Sequence, residues 1–435
     1  MAQHNKYFRS FFIIWGGQAL SLFGSQLVQF ALIWWLTETT QSATILATAS
    51  LAGLLPQVLL GPFIGVLVDR WDRRRVMLAA DSSVALATLL LGILFWLGAV
   101  QVWHVFIILF IRALTGSFHW NAMQASTSLM VPEQHLTRIQ GLNQTLNGGL
   151  NIVAAPLGAL LLAVFPMQGV IAVDVLTALF AILPLLFLVI PQPQRQAQVT
   201  EGLPAFWRSF QQDLGDGLRY VRARRGLVML ILLAVVINLV INPAFALLPL
   251  LVSGHFNGGA LQLGWTQSAS GAGIIIGGLL LSTWGGFRRR MVTSLCGLSL
   301  LGAGVLLIGF TPSTHLWLAI AAIFFVGLAI SLTNGPIHAI VQSTVAPEMQ
   351  GRVFTLLGSL VSLMTPVGLL IVGPVADRLG LQTWFVAGGL VTLLLGVTGF
   401  FNATLLSFED AAPEPPVTVV SESSLHLQQA RPDPR

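Results

Sequence analysis

The 435-residue chain is 55% hydrophobic and only 9% charged, with a net charge of +5 and a mean hydropathy of +0.82. A soluble domain carries roughly a quarter charged residues, so this composition excludes a soluble globular protein and points to a chain that crosses a membrane many times. The basic residues gather in short loops and at the termini, which excludes nucleic acid as the partner and leaves the membrane surface.

Met1 to Ser10 precede an apolar run with no small-residue cleavage site, so the run is read as a retained span and not a signal peptide. Twelve spans are expected, at 11–36, 43–68, 76–98, 103–128, 138–165, 169–190, 227–252, 261–284, 291–310, 315–341, 353–376 and 381–407. The fold class is therefore all-α and integral to a membrane. Residues 1–190 form an N-terminal six-helix bundle, 191–226 a linker, 227–407 a C-terminal six-helix bundle and 408–435 a tail.

The loops alternate in charge. Those around Glu38 to Gln41, Ala99 to Val102, Phe165 to Gly169, Ser253 to Ala260 and Thr311 to His315 hold no Lys or Arg. The intervening loops and both termini hold nearly all of them, which predicts an inner-membrane protein with both termini in the cytoplasm. Arg378, after span 11, is the lone basic residue on the other side.

The turn from Gly61 to Arg75 after span 2 carries Asp69, Arg70, Arg73, Arg74 and Arg75. Gly61 and Gly65, four apart, share a helix face that another helix can approach closely. In the linker, Phe206, Phe210, Leu214, Leu218 and Val221 recur every three to four residues among arginines, the pattern of an amphipathic helix lying on the inner leaflet. The tail from Phe408, rich in Pro, Ser and Glu, is expected to be disordered.

The halves repeat in parallel. Gly141, Pro156 and Gly158 on span 5 recur as Gly351, Pro366 and Gly368 on span 11, each offset by 210 residues. Pro132-Glu133 matches Pro347-Glu348, and Arg73 to Arg75 matches Arg288 to Arg290. Two related bundles facing each other are the architecture of carriers that rock about a midplane site.

These residues resemble the major facilitator superfamily from about residue 8 to 407. Gly65 to Arg74 is similar to its signature loop, with Asp72 where Gly is usual, and the resemblance implies that Asp69 and Arg70 latch the halves in an outward-open state. Arg112 with Gly116 resembles the family's Arg-x-x-x-Gly element, and Ala155-Pro156-Leu157-Gly158 a degenerate exporter motif. Gly61 to Asp72, Leu109 to Arg112, Ala172 to Leu176, Gly277 to Leu281 and Gly351 to Phe354 resemble the macrolide-efflux branch. That implies export of a bulky amphipathic drug in exchange for protons; related exporters of siderophores or other metabolites share the scaffold.

An ionisable group at the bilayer centre costs at least about 2.5–3.5 kcal/mol, so Asp81, Arg112, His119, Asp174 and His338 are functional candidates. At ~1.5 Å rise per residue, Arg112 and Asp174 lie at comparable depths and can pair. Separation of the pair would let Asp174 take up a proton, as antiport requires; alternatively Asp174 and Asp81 brace helices at the back of the bundle. His119 and His338 either report protonation or stay neutral and hydrogen-bonded.

Amides form stripes: Gln18, Gln26 and Gln29 on span 1, Asn121 and Gln124 on span 4, Asn143, Asn147 and Asn151 on span 5, Asn238 and Asn242 on span 7, Asn334 and Gln342 with His338 on span 10. In the resembled family spans 1, 4, 7 and 10 line the cavity, so these side chains are candidates to hydrogen-bond the substrate. Interhelical hydrogen bonds explain the stripes nearly as well, most of all on span 5. Trp15, Phe118, Trp120 and Phe245 suit an apolar or weakly basic cargo, whereas Trp34 and Trp35 read as interface anchors.

Uptake of a nutrient by the same scaffold, and sensing without transport, are the rival readings. An enzyme is not expected, because no His-Glu-x-x-His or Cys-x-x-Cys cluster occurs and the outer loops are too short to form an active site. No phosphate-binding Gly-x-x-x-x-Gly-Lys loop occurs either, leaving an ion gradient as the energy source. No cofactor or metal is expected; the partners are a small molecule, protons and lipids, with the chain a monomer. The lone Cys296 excludes an internal disulfide.

Overall fold

A computed structural model describes residues 2–192 and 203–410, without side chains at 2–6, 62, 203–210 and 213. The first half consists of α1 (Ala2–Thr40), α2 (Ala43–Arg70), α3 (Arg73–Trp96), α4 (Val102–Met130), α5 (Glu133–Val164) and α6 (Met167–Phe187). After α7 (Leu203–Arg222) come α8 (Arg225–Ala246), the short α9 (Leu248–Leu250), a π-turn at Leu251–His255, α10 (Ala260–Trp284), α11 (Arg290–Phe310), α12 (Leu316–Thr344), α13 (Pro347–Leu379), α14 (Leu381–Gly399) and α15 (Ala403–Leu406). The described residues contain no strand.

Eleven of these helices are long and apolar enough to cross a membrane. The twelfth, α10, has the length at 25 residues but opens with Gln262, Gly264, Gln267, Ser268 and Ser270. That stretch packs on α5 and α12 and not on lipid: Ser268 donates to the carbonyl of Ile152 at 2.6 Å, and Gly264 and Gly271 meet the backbone of α5. Its polarity is the consequence of burial between helices, and the protein is a multi-pass membrane protein of twelve helices in two sets of six. Apolar side chains such as Leu86, Phe180, Leu279 and Leu370 cover the outside, as lipid requires.

Helix ends are capped by local chemistry. Ser42 starts α2 and Asp72 starts α3, where its carboxylate accepts from the Arg75 N–H at 2.9 Å. That explains the Asp in a place where the resembled family uses Gly. Gly285, at φ 77, ends α10 in the left-handed region.

The halves meet mainly through two helix pairs, α2 with α13 and α5 with α10, with smaller contacts of α1 on α9 and α2 on α8. At the end away from the arginines the cores are shared: Leu46 and Ala47 pack with Leu369, Val372 and Ala376, while Trp34 and Ala159 join Leu248, Leu251 and Val305. At the arginine-bearing end the cores are separate. Phe11, Val68, Met77 and Met130 belong to the first half, Leu227, Met291, Val341 and Val353 to the second. The molecule is sealed at one end and parted at the other, the basic end.

Several expectations are corrected. Trp34 is buried where the halves meet and Trp35 packs edge-on against Phe95, so neither anchors at an interface with lipid headgroups. Span 7 breaks at Ala246, ahead of Pro249. In the described part of α7, Tyr220 and Val221 enter the core of the second half, and the Tyr220 hydroxyl accepts from the Ala346 N–H at 3.0 Å. Phe206, Arg208 and Phe210 lie outside the described side chains, as does most of the linker before α7. Phe408 is buried in the same core and Glu409 accepts from the Met291 N–H at 3.0 Å, so the chain is ordered to Asp410; 411–435 lie outside the described residues.

Candidate functional site

Burying Arg112 demands acceptors, and three neighbouring helices supply them. Its guanidinium donates to Asp174 Oδ2 on α6 at 2.6 Å, to Thr88 Oγ1 on α3 at 2.9 Å and to the Ser25 carbonyl on α1 at 3.0 Å. Ser25 Oγ in turn donates to Asp174 Oδ1 at 3.0 Å. Both carboxylate oxygens are thereby occupied, and the two side chains are 9% and 2% exposed. Gly24 allows this closeness, since a Cβ there would overlap Thr177 and crowd the Asp174 backbone.

A second titratable cluster is incomplete. Gln18 Nε2 donates to Asp81 Oδ2 at 2.7 Å, while His119 Nε2 stands 3.6 Å from Asp81 Oδ1, beyond hydrogen-bond length. That nitrogen is buried and has no hydrogen-bond partner among the described residues. Movement of either side chain by about half an ångström would let the ring N–H donate to the carboxylate.

Both clusters border a cavity of about 490 Å³ between α1, α3, α4 and α5, a size that suits a drug-sized ligand. Its wall includes Trp15, Gln18, Gln26, Asp81, His119 and Trp120. Trp15 Nε1 donates to Asn143 Oδ1 at 2.8 Å, which holds the indole in the wall. Gln26 and Gln29 also border a smaller cavity of about 150 Å³ that reaches Leu263 and Gln267 of α10 in the other half.

Of the expected cavity residues, Gln18 and Gln26 are therefore in the wall. Asn121 and Asn238 are not: each turns its amide back to the carbonyl four residues earlier, Ser117 and Ala234, at 2.8 Å. Asn242 bridges Asn238 and Thr365 of α13. Asn334 is exposed, and His338 is exposed and stacked on Phe354. Asp81, a candidate for proton coupling with bracing of the bundle as the alternative, lies in the cavity wall.

In the signature loop, Arg73 donates to the Ala125 carbonyl at 2.7 Å and Arg74 to those of Leu185 and Leu186 at 2.5 Å. These arginines tie the loop to the ends of α4 and α6, within one half. Asp69 and Arg70 are exposed beside them. A Cβ on Gly61 or Gly65 would meet nothing within 4 Å, so the close helix approach expected there is absent while the basic end is parted.

The spacing of residues did not reveal Ser25 and Thr88, which complete the Arg112 site, or Asp377 on α13, whose bonds run to the other half. An Asp-Arg pair closing span 11 was the available signal for Asp377.

Two related six-helix bundles, joined at one end and parted at the other, with a cavity in the first bundle walled by buried ionisable groups, define a membrane carrier. The sequence matches the profile of the Major Facilitator Superfamily over residues 14–369, and the chain belongs to that family. It is thus a small-molecule transporter and not an enzyme. Macrolide efflux protein A of Streptococcus pyogenes is 36% identical over 91% of this chain and 96% of its own length. The multidrug efflux pump Tap of Mycolicibacterium fortuitum is 28% identical over 89% of this chain and 94% of its own. Among solved structures, a point mutant of the nucleoside transporter NupG superposes with a TM-score of 0.63 at 14% identity, covering 91% of this chain and 99% of that one.

Proposed function

We propose that the chain exports bulky amphipathic drugs of the macrolide type across a bacterial inner membrane, by exchange for protons, with Asp81 and His119 as the exchange site. Similarity to the macrolide and multidrug efflux proteins supports the cargo and the direction. The observation that carries the exchange site is the unsatisfied His119 Nε2 beside the Asp81 carboxylate in the cavity wall. The basic end faces the cytoplasm on this reading, with both termini there. Residues 1–190 and 227–407 move against each other as a monomer, joined by 191–226.

The chemistry is a competition. Around Asp81 the packed helices present Gln18 from α1, His119 and Arg112 from α4 and Asp174 from α6, and the last two neutralise each other. A weakly basic drug entering from the basic end sets its amine against Asp81 and its apolar body against Trp15 and Trp120. A proton arriving from the opposite side occupies the Asp81–His119 pair and releases the amine. Arg112 and Asp174 hold four helices in register while this happens, because parting a buried pair costs about 3–5 kcal/mol.

Uptake of a macrolide by everted vesicles, with and without a protonophore, tests the reading. Accumulation that the protonophore abolishes is the expected result; accumulation indifferent to it removes the proton, and none removes the drug.

A further inference from the structure

The sealed end is closed by a contact between the halves that has a specific chemistry. Asp377, in the last turns of α13, reaches the first turn of α2: Oδ1 accepts from the Ala43 N–H at 2.7 Å, and Oδ2 from the Thr44 N–H at 3.0 Å and the Ser42 hydroxyl at 3.1 Å. The first N–H groups of a helix have no acceptor within it and carry the positive end of the helix dipole, so a carboxylate is the ligand they suit best. One turn back along α13, Gly373 lies against Thr44 Cα, where a Cβ would stand only 2.8 Å away. The same turn between α1 and α2 makes a further contact with the second half, Gln41 Nε2 to Ser253 Oγ at 3.4 Å. Gln41 adopts φ 46, a left-handed conformation that a non-glycine side chain holds only where its surroundings insist.

A cap for α2 did not need the other half, because Ser42 already accepts from the Ile45 N–H. Placing the remaining acceptors on α13 makes the end of α2 depend on where the second half stands. The opposite ends of the same two helices show the counterpart. Gly65 is 18 residues beyond Ala47, and Thr355 is 18 before Gly373, about five turns in each case, so each continues its partner's face. Ala47 and Gly373 touch, whereas Gly65 has nothing within 4 Å. α2 and α13 thus form one lever, engaged at the sealed end and disengaged at the basic end.

We propose that Asp377 is the positioning residue of the exit gate: its carboxylate holds the α1–α2 turn shut, and losing that grip is the step that opens the sealed end as Gly65 closes on α13. The proposal rests on the carrier reading and not on the identity of the cargo.

Reporter cysteines at Ala47 for the sealed end and at Thr355 for the basic end, each in a chain carrying Cys296→Ala, are labelled with a maleimide in proteoliposomes. Asp377→Asn replaces a charged acceptor by a neutral one with a single oxygen, so labelling at 47 rises about fivefold while labelling at 355 falls. Asp377→Glu stays near the parent values. Gly373→Ala, which wedges the helices apart by its methyl group, moves both reporters as Asp377→Asn does. Ala376→Cys serves as the sealed-end reporter should Ala47→Cys fail to fold. A simultaneous rise at both ends means that Asp377 merely stiffens the protein, and no change at either end means that it holds nothing; each overturns the proposal. Because no drug is present, a failure of macrolide export leaves the gate standing, and a failure of the gate leaves the export assay untouched.

Discussion

Arg112 and Asp174 lie 62 positions apart in the chain and meet at 2.6 Å, with Thr88 and Ser25 taking up the hydrogen-bonding capacity that remains. A pair so completely satisfied is suited to holding helices together and poorly suited to exchanging a proton on each cycle. Asp174→Asn or Arg112→Ala leaves its partner charged and buried, so either destabilises the protein by about 3–5 kcal/mol. Thermal unfolding in detergent checks this. Asp174→Asn with an unchanged melting temperature and export no longer driven by protons would transfer the coupling role to this pair.

Asp81 and His119 behave in the opposite way. Asp81→Asn keeps a hydrogen bond from Gln18 and removes the titratable carboxylate, so the protein stays folded while protonophore-sensitive export is lost. His119→Gln keeps a hydrogen-bond donor but cannot take up a proton, so export is retained with a flatter pH profile, assayed between about pH 5 and 8. Transport measured in vesicles across that range decides the matter. A steep profile in the His119→Gln variant excludes the imidazole as a proton carrier.

How far each of these groups could be read in advance follows from what a helix fixes. Rise per residue gives depth, so the meeting of Arg112 with Asp174 was within reach of the sequence. Rotation about the helix axis is set by neighbours, which is why Asp81 turned out to face the cavity. Four-residue spacing told that Asn121 and Asn238 lie on a common face with other amides, yet an amide with no partner across the gap bonds its own helix. The apolar face of α7 had the same limit, since Tyr220 and Val221 suit a lipid surface and a protein core equally well. The Asp377-Arg378 pair marked a place in the chain but not its partners, because two of the three groups Asp377 accepts from are backbone N–H groups, which leave no residue signature.

Asp72 offers a sharper test of local chemistry, because the resembled signature loop has Gly at that place. As the N-cap of α3 it satisfies the Arg75 N–H. Asp72→Ala costs about 1 kcal/mol, whereas Asp72→Gly costs only a few tenths, since glycine leaves the N–H open to water and enters the cap conformation readily. The half-inactivation temperature therefore falls more for Asp72→Ala than for Asp72→Gly. The reverse order would show that the carboxylate does something other than cap.

Gly65 separates the parted arrangement from the one that must follow it. In the parted state its Cβ position is empty, so Gly65→Leu is accommodated and the melting temperature is unchanged. Closing the basic end brings α13 onto this face of α2, and a leucine there holds the backbones apart by the width of its side chain. The variant therefore still binds drug from the basic side but cannot carry it across. Binding followed by quenching of Trp15 and Trp120, which border the cavity, stays near the parent value while vesicle uptake falls to background. Uptake at the parent rate in a Gly65→Leu protein would show that α2 and α13 never close at this end, and that the halves exchange access by some movement other than the lever drawn from Gly373 and Asp377.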